Sequence, residues 1–426
     1  MPTCNSIDIA PDALTGAIIA MEGISDGATI LNGPTGCKYF HGAISDSQYP
    51  RSFSVDPLDY GKVHYFGQPR VPTTYLDSND YVFGSSEKVR VLTDELVGKY
   101  AIVSIVNSPG ASLLAEDLER LIDKDRMFLI ETTGFSGSMF DGFQNAVITL
   151  LERFSIKGLE EQDMTVNLVG ISIYHKHWQG NIEEIRSILS KMGIRVNAVV
   201  CAGSSFEDLK GVGKAKCNII VHEEYGLRIA EWLRSELSMP FINPPMGAPV
   251  GFGSIESFIK NVSSFFDVDP NKALDSVKDS RSHCYGVLSR YNSLSGLPRG
   301  ATFSIHSDPS LALPLLHMLY DYLGMIPESI SLTTDSKLSV SKGIDSYLTS
   351  KGLGDALREL SGSFPDILLS DGNTISKHRL DNQLVEGIEI SLPSHGYSDV
   401  LPKATLGIKG TYIILEKILN GLYRVY

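Results

Sequence analysis

Cysteine is scarce in this chain: five in 426 residues, at positions 4, 37, 201, 217 and 284, an odd number with no CxxC pair. That excludes a disulfide framework and leads us to expect reduced thiols and a cytoplasmic setting. Positive charge is also short. The 37 Lys and Arg stand against 50 Asp and Glu, a net charge of -13. This argues against a nucleic-acid partner or an anionic membrane surface, and fits a protein partner docked by complementary charge. No apolar run reaches membrane-spanning length. Met1 to Asp12 carries neither the basic start nor the apolar stretch expected of a signal peptide. Three catalytic signatures are missing too. There is no GxxxxGK followed by Ser or Thr, so no phosphate cradle and no ATP site are expected; "KGVGKAKC" lacks both the first glycine and the hydroxyl. There is no GxSxG elbow and no HExxH.

What is present is a repeat of short β-branched runs, Gly/Ser/Pro turns and amphipathic helices. "YAIVSIVN" leads to "LLAEDLERLI", "MFLIETTG" to "FDGFQNAVITLLERF", and "TVNLVGISI" to "NIEEIRSILSKMG". Further on, "CNIIVHEEYG" leads to "LRIAEWLRSEL", "ATFSIHSD" to "PSLALPLLHMLYDYLG", and "DILLSDGN" to "ISKHRLDNQLVEG". Continuous apolar strands alternating with helices predict parallel sheets covered on both faces, a doubly wound α/β fold. Ligands of such sheets gather at the carboxyl ends of strands. The length is large for one core and suggests two or three domains. Polar or Gly/Pro-bearing breaks fall near residues 156–165 and 292–300. They suggest domains 1–160, 161–292 and 293–426. Residues 39–89 are rich in Pro, Gly, Tyr and Asp without periodicity, and a connection of that length is usually functional or covered by a partner. Tyr60, His64, Tyr65 and Phe66 in it either frame a planar apolar substrate or meet a partner subunit; aromatic residues favour the interface.

The turn "GPTGCKYFHG" places Cys37 among Gly33, Pro34 and Gly36. By its residues alone it has two readings. Cys37 is a small buried thiol, or it is a thiolate ligand whose flanking glycines let backbone N–H groups approach the sulfur.

The blocks "ILNGPTGCKYF", "NDYVFGSSEKV", "SIVNSPGASLLAEDLERL" and "ETTGFSGSMFDGFQNAV" together resemble the nitrogenase component 1 family. So do "GISIYHKHWQGNIEEIRSILSKMGIRVNAVV", "AKCNIIVHEEYGLRIAEWL" and "FINPPMGAPVGFGSIESFI". The final "PKATLGIKGTYIILEKILN" is similar to the close of the family's β-type subunits. The likeness covers nearly the whole chain. Within it, the Gly-Pro-x-Gly-Cys turn and the "DYVFG" block are specific, and "AEDLERL" is not. The family spans nitrogenase subunits, their cofactor-assembly scaffolds and the light-independent tetrapyrrole reductases. The resemblance implies three Rossmann-like domains and an iron–sulfur cluster near a subunit interface. It also implies a separate ATP-hydrolysing iron protein as electron donor.

The same resemblance implies ligand positions, and there this chain departs. The family's upstream cysteine falls on Asp12, with Gly16-Ala17 holding the register, and its third ligand falls on Pro109, which cannot ligate. That leaves Cys37 and Asp12 as candidate metal ligands, Gly36 beside them, and Cys4 near a terminus. Such a set is too small for a complete cubane. It suits a [4Fe-4S] cluster shared across an interface, in a homodimer or a heterodimer with a related subunit. Asp12 has a second reading, as a helix N-cap in "PDALTGA". The family's cofactor cysteine falls on His222, and a family loop histidine on His395. Each is a weak catalytic candidate, set against an ordinary hydrogen-bonded or solvent-facing histidine. His175, His177 and Trp178 end a strand and either line a pocket or cover a junction. Cys201, Cys217 and Cys284 read as packing thiols.

Three functions remain open. The first is a component 1 subunit of a nitrogenase-like reductase acting on an unsaturated substrate. The second is a cluster-assembly scaffold. The third is a non-redox relative that has lost its cluster.

Overall fold

Eleven strands among the described residues form three sheets, and every strand pair is parallel. The architecture is the expected α/β one. The computed structural model describes residues 11–39, 41–42, 70–131, 137–154, 156, 158, 160, 162–334, 338–381, 386–392 and 399–423. It divides into two units, residues 1–156 with 204–207, and residues 157–203 with 208–426. The first sheet lies in the first unit; the other two share the second.

The first sheet has the order β1 (Gly27–Asn32), β2 (Ile102–Asn107), β3 (Met127–Glu131). Both faces of β1 and β2 are buried, and in β2 that burial shows as a nearly continuous apolar run rather than an alternating one. Helix α1 (Ala13–Glu22, ALTGAIIAME) is apolar on every side, and nine of its ten residues are buried. It crosses α2 (Met139–Arg153) through glycines. A Cβ on Gly16 would lie 2.0 Å from the Met139 carbonyl oxygen, and one on Gly142 would lie 1.9 Å from that of Ala13. The two backbones touch, so only glycine fits at either place. Ser138 and Asp141 close a capping box at the start of α2.

One expected element breaks. "LLAEDLERLI" forms no continuous helix. Ser108 caps a five-residue helix, α3 (Pro109–Leu113), and Ala115 then turns left-handed at φ 51°. The carboxylate of Glu116 is taken by the N–H and hydroxyl groups of Ser85 and Ser86. A tertiary partner outcompetes the helical period.

In the second unit, one sheet runs β5 (Arg195–Val199), β4 (Gln162–Val169), β6 (Ala215–Ile220), β7 (Phe241–Ile242). The other runs β11 (Glu386–Ser391), β10 (Ile367–Asp371), β8 (Thr302–Ser307), β9 (Ile326–Leu332). From β4 the chain goes to β5 on one side, and β6 lies on the other. From β8 it goes to β9, and β10 lies opposite. Each order therefore reverses, at β4/β6 and at β8/β10, and a crevice opens at the carboxyl ends there. The strands "GATILN", "IPESISL" and "EGIEIS" carry no strong signal in the sequence, being short or polar-dotted.

Candidate functional site

Cys37 sits in a single 3-10 turn, Thr35–Lys38, at the carboxyl end of β1. The turn is held from beneath. Asn32 Nδ2 donates to Asn107 Oδ1 (2.9 Å) and Ser85 Oγ (3.1 Å), and its Oδ1 accepts from Thr74 Oγ1 (2.9 Å). Gly33 N–H donates to Thr74 Oγ1 (3.0 Å), and Ser108 N–H to the Asn32 carbonyl (2.9 Å). Lys38 points into the protein. It is buried, donates to the Val71 carbonyl, and is pulled down to about 8 by burial, with Glu22 opposing. Glu22 in turn holds buried His41 at 2.6 Å.

The two glycines of the turn differ. A Cβ on Gly33 would meet Ser108 Cβ and Oγ at 2.8 Å, whereas one on Gly36 would meet nothing within 4 Å. Gly33 is a packing requirement; Gly36 leaves open space beside half-buried Cys37. Burial pushes the Cys37 thiol up, a hydrogen bond with the Ser108 side chain pulls it down, and the Asp12 carboxylate pushes it up again. Cys37 and Asp12 are thus near enough to feel each other. Asp12 caps α1: its Oδ1 accepts from Thr15 N–H and Thr15 Oγ1, both at 3.0 Å. Pro109 is the first residue of α3, behind Ser108. Sequence reasoning missed Ser108 as a neighbour of Cys37, although Ser before Pro is a legible cap signature.

The "DYVF" block is one helical turn, Asp80–Phe83. Tyr81 feels the Cys37 charge, and its hydroxyl would lie 2.7 Å from a Cβ on Gly110. Val82 and Phe83 are 73% and 85% exposed, Tyr39 72% and Leu113 87%.

A second constellation occupies the crevice of the other unit. The chain leaving β4 carries Tyr174 and His175; that leaving β6 carries His222, which precedes helix α4 (Glu223–Leu237). The imidazoles of His175 and His222 stack, with centroids 3.8 Å apart and planes 14° from parallel, and Tyr225 meets His175 edge-on at 4.8 Å. Both histidines are buried. They line a cavity of about 20 Å³ with Tyr174, Asn181, Asp308 and Thr405. Among the described residues neither ring nitrogen of His222 has a hydrogen-bond partner, nor has His175 Nε2. Burial drives His222 down to about 3, and burial with the His222 charge drives His175 well below its ordinary value. Burial and neighbouring Asp308 lift Glu224 to about 8, and burial lifts Asp308 to about 6.

His177 takes the other role: its ring meets Asp399 (3.0 Å) and Thr405 Oγ1 (3.2 Å). Lys176 pairs with buried Glu389 and, at 3.1 Å, with Asp399. Cys201, Cys217 and Cys284 are buried thiols. Sequence could not pair His175 with His222, because strand order is a tertiary fact. Cys4, Tyr60, His64, Tyr65, Phe66 and His395 lie outside the described residues. Among the described residues, no group of three or more His, Cys, Asp or Glu is arranged to hold a metal ion.

Residues 13–423 match the family described as nitrogenase component 1 type oxidoreductase. The chain belongs to that family. One relative is the B-type subunit of the light-independent protochlorophyllide reductase of Heliobacterium modesticaldum, 23% identical over 74% of this chain and 62% of the relative. The nitrogenase iron-iron protein beta chain of Rhodobacter capsulatus is 23% identical over 75% of this chain and 71% of its own length. The chain spans 43 to 63% of the length of the protochlorophyllide reductase relatives it matches. A solved structure, nitrogenase Cp1 at pH 6.5, superposes with a TM-score of 0.73 at 17% identity, covering 96% of this chain and 91% of the other. At that identity the likeness speaks for the component 1 fold. No described helix is long and apolar enough to cross a membrane.

Proposed function

We propose that this chain is a β-type component 1 subunit of a nitrogenase-like reductase. In this reading it works in the cytoplasm with a separate ATP-hydrolysing iron protein and acts on an unsaturated substrate. We assign its three sheets to domains 1–160, 161–292 and 293–426. The observation that carries the proposal is Cys37: a half-buried thiol on a turn with open space at Gly36 and exposed apolar residues nearby.

Cys37 and Asp12 fit part of an iron–sulfur ligand set. Cys37 supplies one thiol, and Asp12 has Oδ2 to offer while Oδ1 caps α1. A [4Fe-4S] cluster needs more than these two, so a second chain has to complete it. When bound, such a cluster supplies one-electron transfer. The protein's own part is positional. Asn32, Thr74 and Lys38 fix the turn, Gly33 seats it on Ser108, and the bared Val82, Phe83 and Leu113 give a second chain apolar surface to cover.

The test is iron and acid-labile sulfide in anaerobically isolated protein, alone and with its co-expressed partner, read beside electron paramagnetic resonance of the reduced sample. About four irons per pair of chains, lost in Cys37→Ala, is expected. Iron-free protein in both preparations would overturn the reading and favour a relative without a cluster.

A further inference from the structure

The register of the first sheet places Ser108 beside Cys37. Asn32 and Asn107 pair at the ends of β1 and β2, so Gly33 and Ser108 follow as neighbours, and Ser108 N–H donates to the Asn32 carbonyl at 2.9 Å. A Cβ built on Gly33 would lie 2.8 Å from Ser108 Oγ and 3.7 Å from Cys37 Cβ. The hydroxyl and the cysteine side chain therefore flank the same bare α-carbon. Ser108 is fully buried and Cys37 half-buried.

The hydrogen of that hydroxyl has a defined destination. Ser108 Oγ accepts from Ala111 N–H at 3.3 Å, the bond that caps α3, and this takes up a lone pair and leaves one hydrogen to donate. Among the described residues that hydrogen meets no oxygen acceptor, and its partner is the Cys37 side chain. A buried hydroxyl is costly to leave unpaired, so the donation is kept. The backbone bond to Asn32 and the cap to Ala111 hold Ser108 on both sides, which aims the hydroxyl at the sulfur. A thiolate sulfur accepts more strongly than a thiol, because it carries charge. A hydrogen bond donated to a ligand sulfur stabilises negative charge there, and so favours the reduced state of an iron–sulfur group.

We infer that Ser108 is a positioning residue for electron transfer: its hydroxyl donates to Cys37 Sγ and raises the reduction potential of the iron–sulfur cluster that Cys37 holds. The inference rests on the component 1 reading above and adds to it the group that sets how readily the Cys37 site takes an electron. The electron comes from the iron protein, and no covalent bond forms or breaks. Ser108 acts through Cys37 and needs no bond to iron.

The test uses the full chain, co-expressed with its partner and isolated anaerobically. Iron and acid-labile sulfide are measured first, and then the midpoint potential by a redox titration followed by electron paramagnetic resonance. Ser108→Ala is expected to keep the wild-type iron content and to shift the midpoint to a more negative potential. Ser108→Thr, which keeps the hydroxyl, is expected to return the midpoint to the wild-type value. Gly33→Ala drives a methyl against Ser108 Oγ and is expected to shift the midpoint in the same direction as Ser108→Ala; it decides the matter if Ser108→Ala does not fold. A wild-type midpoint in either alanine variant at full iron content would overturn the inference and leave the component 1 reading standing. Loss of iron in Ser108→Ala would also overturn it, by making Ser108 a ligand or a prop. An iron-free wild type would overturn both.

Discussion

The His222 imidazole lies flat on that of His175 at a centroid separation of 3.8 Å, although 47 positions separate them in the chain. His175 follows the end of β4 at Val169 and His222 the end of β6 at Ile220, and these strands are neighbours in register from Val166↔Cys217 to Val169↔Ile220. Adjacent parallel strands bring their carboxyl ends together, so the residues just past them meet. Two neutral rings stack readily; two cations would repel at this distance.

That neutrality makes stability depend on pH with a definite sign. His222 falls from 6.5 to about 3 on folding. Below pH 6.5 the unfolded chain takes up a proton that the folded chain refuses, so this stabilisation is full above pH 6.5 and drains as pH falls toward 3. Glu224, lifted from 4.5 to about 8, works the other way, gaining folded stability as pH falls through that window, and Asp308 does so between about 6 and 3.8. Tyr174, Tyr225, Lys176 and Asp308 are the other titratable groups facing the pair. A comparison with His222→Phe isolates the histidine. On going from pH 7 to pH 5, the wild type should lose about 1–2 kcal/mol relative to the variant in urea unfolding. Parallel profiles would show that His222 carries no such linkage.

Asp12 allows cap and ligand to be separated. Asp12→Ala should cost about 1 kcal/mol through loss of the Thr15 contacts, while Asp12→Asn, also a good cap, should cost little. If Asp12 Oδ2 also binds iron, Asp12→Asn should lose metal at nearly full stability. Retention of wild-type iron in Asp12→Asn would leave Asp12 a cap alone.

The two glycines beside Cys37 should behave oppositely. Gly33→Ala drives a methyl to 2.8 Å from Ser108 and should cost about 1–3 kcal/mol. Gly36→Ala enters open space and should stay within about 0.5 kcal/mol. Thermal unfolding of both checks this; equal effects would mean that the turn is not seated on Ser108.

Lys176 and Glu389 form an ion pair with side chains 4% and 1% exposed. Lys176→Met leaves the buried carboxylate without this ammonium and should cost about 3–5 kcal/mol. Adding Glu389→Gln should return much of that loss. A double-mutant cycle reads the coupling, and simple additivity of the two changes would argue against the pair.

How much of this was legible in sequence depends on the range of the forces involved. Apolar runs announced β2, β4, β6 and β8, because strands buried on both faces need unbroken hydrophobic residues whatever surrounds them. The family, and Cys37 on a glycine-rich turn, could be read from local residues in order. "LLAEDLERL" misled because Glu116 found Ser85 and Ser86, about 30 positions upstream.

The sequence by itself determined the α/β alternation, the scarcity of thiols, the acidic balance and the place of Cys37, all of which rest on composition or short-range pattern. Only the tertiary structure decided that Gly33 packs while Gly36 stands open, that Asp12 caps a helix and its charge is felt at Cys37, and that His175 stacks on His222. Those relations depend on which strands become neighbours and how closely backbones approach. Both are set by the packing of distant segments, which no local pattern encodes.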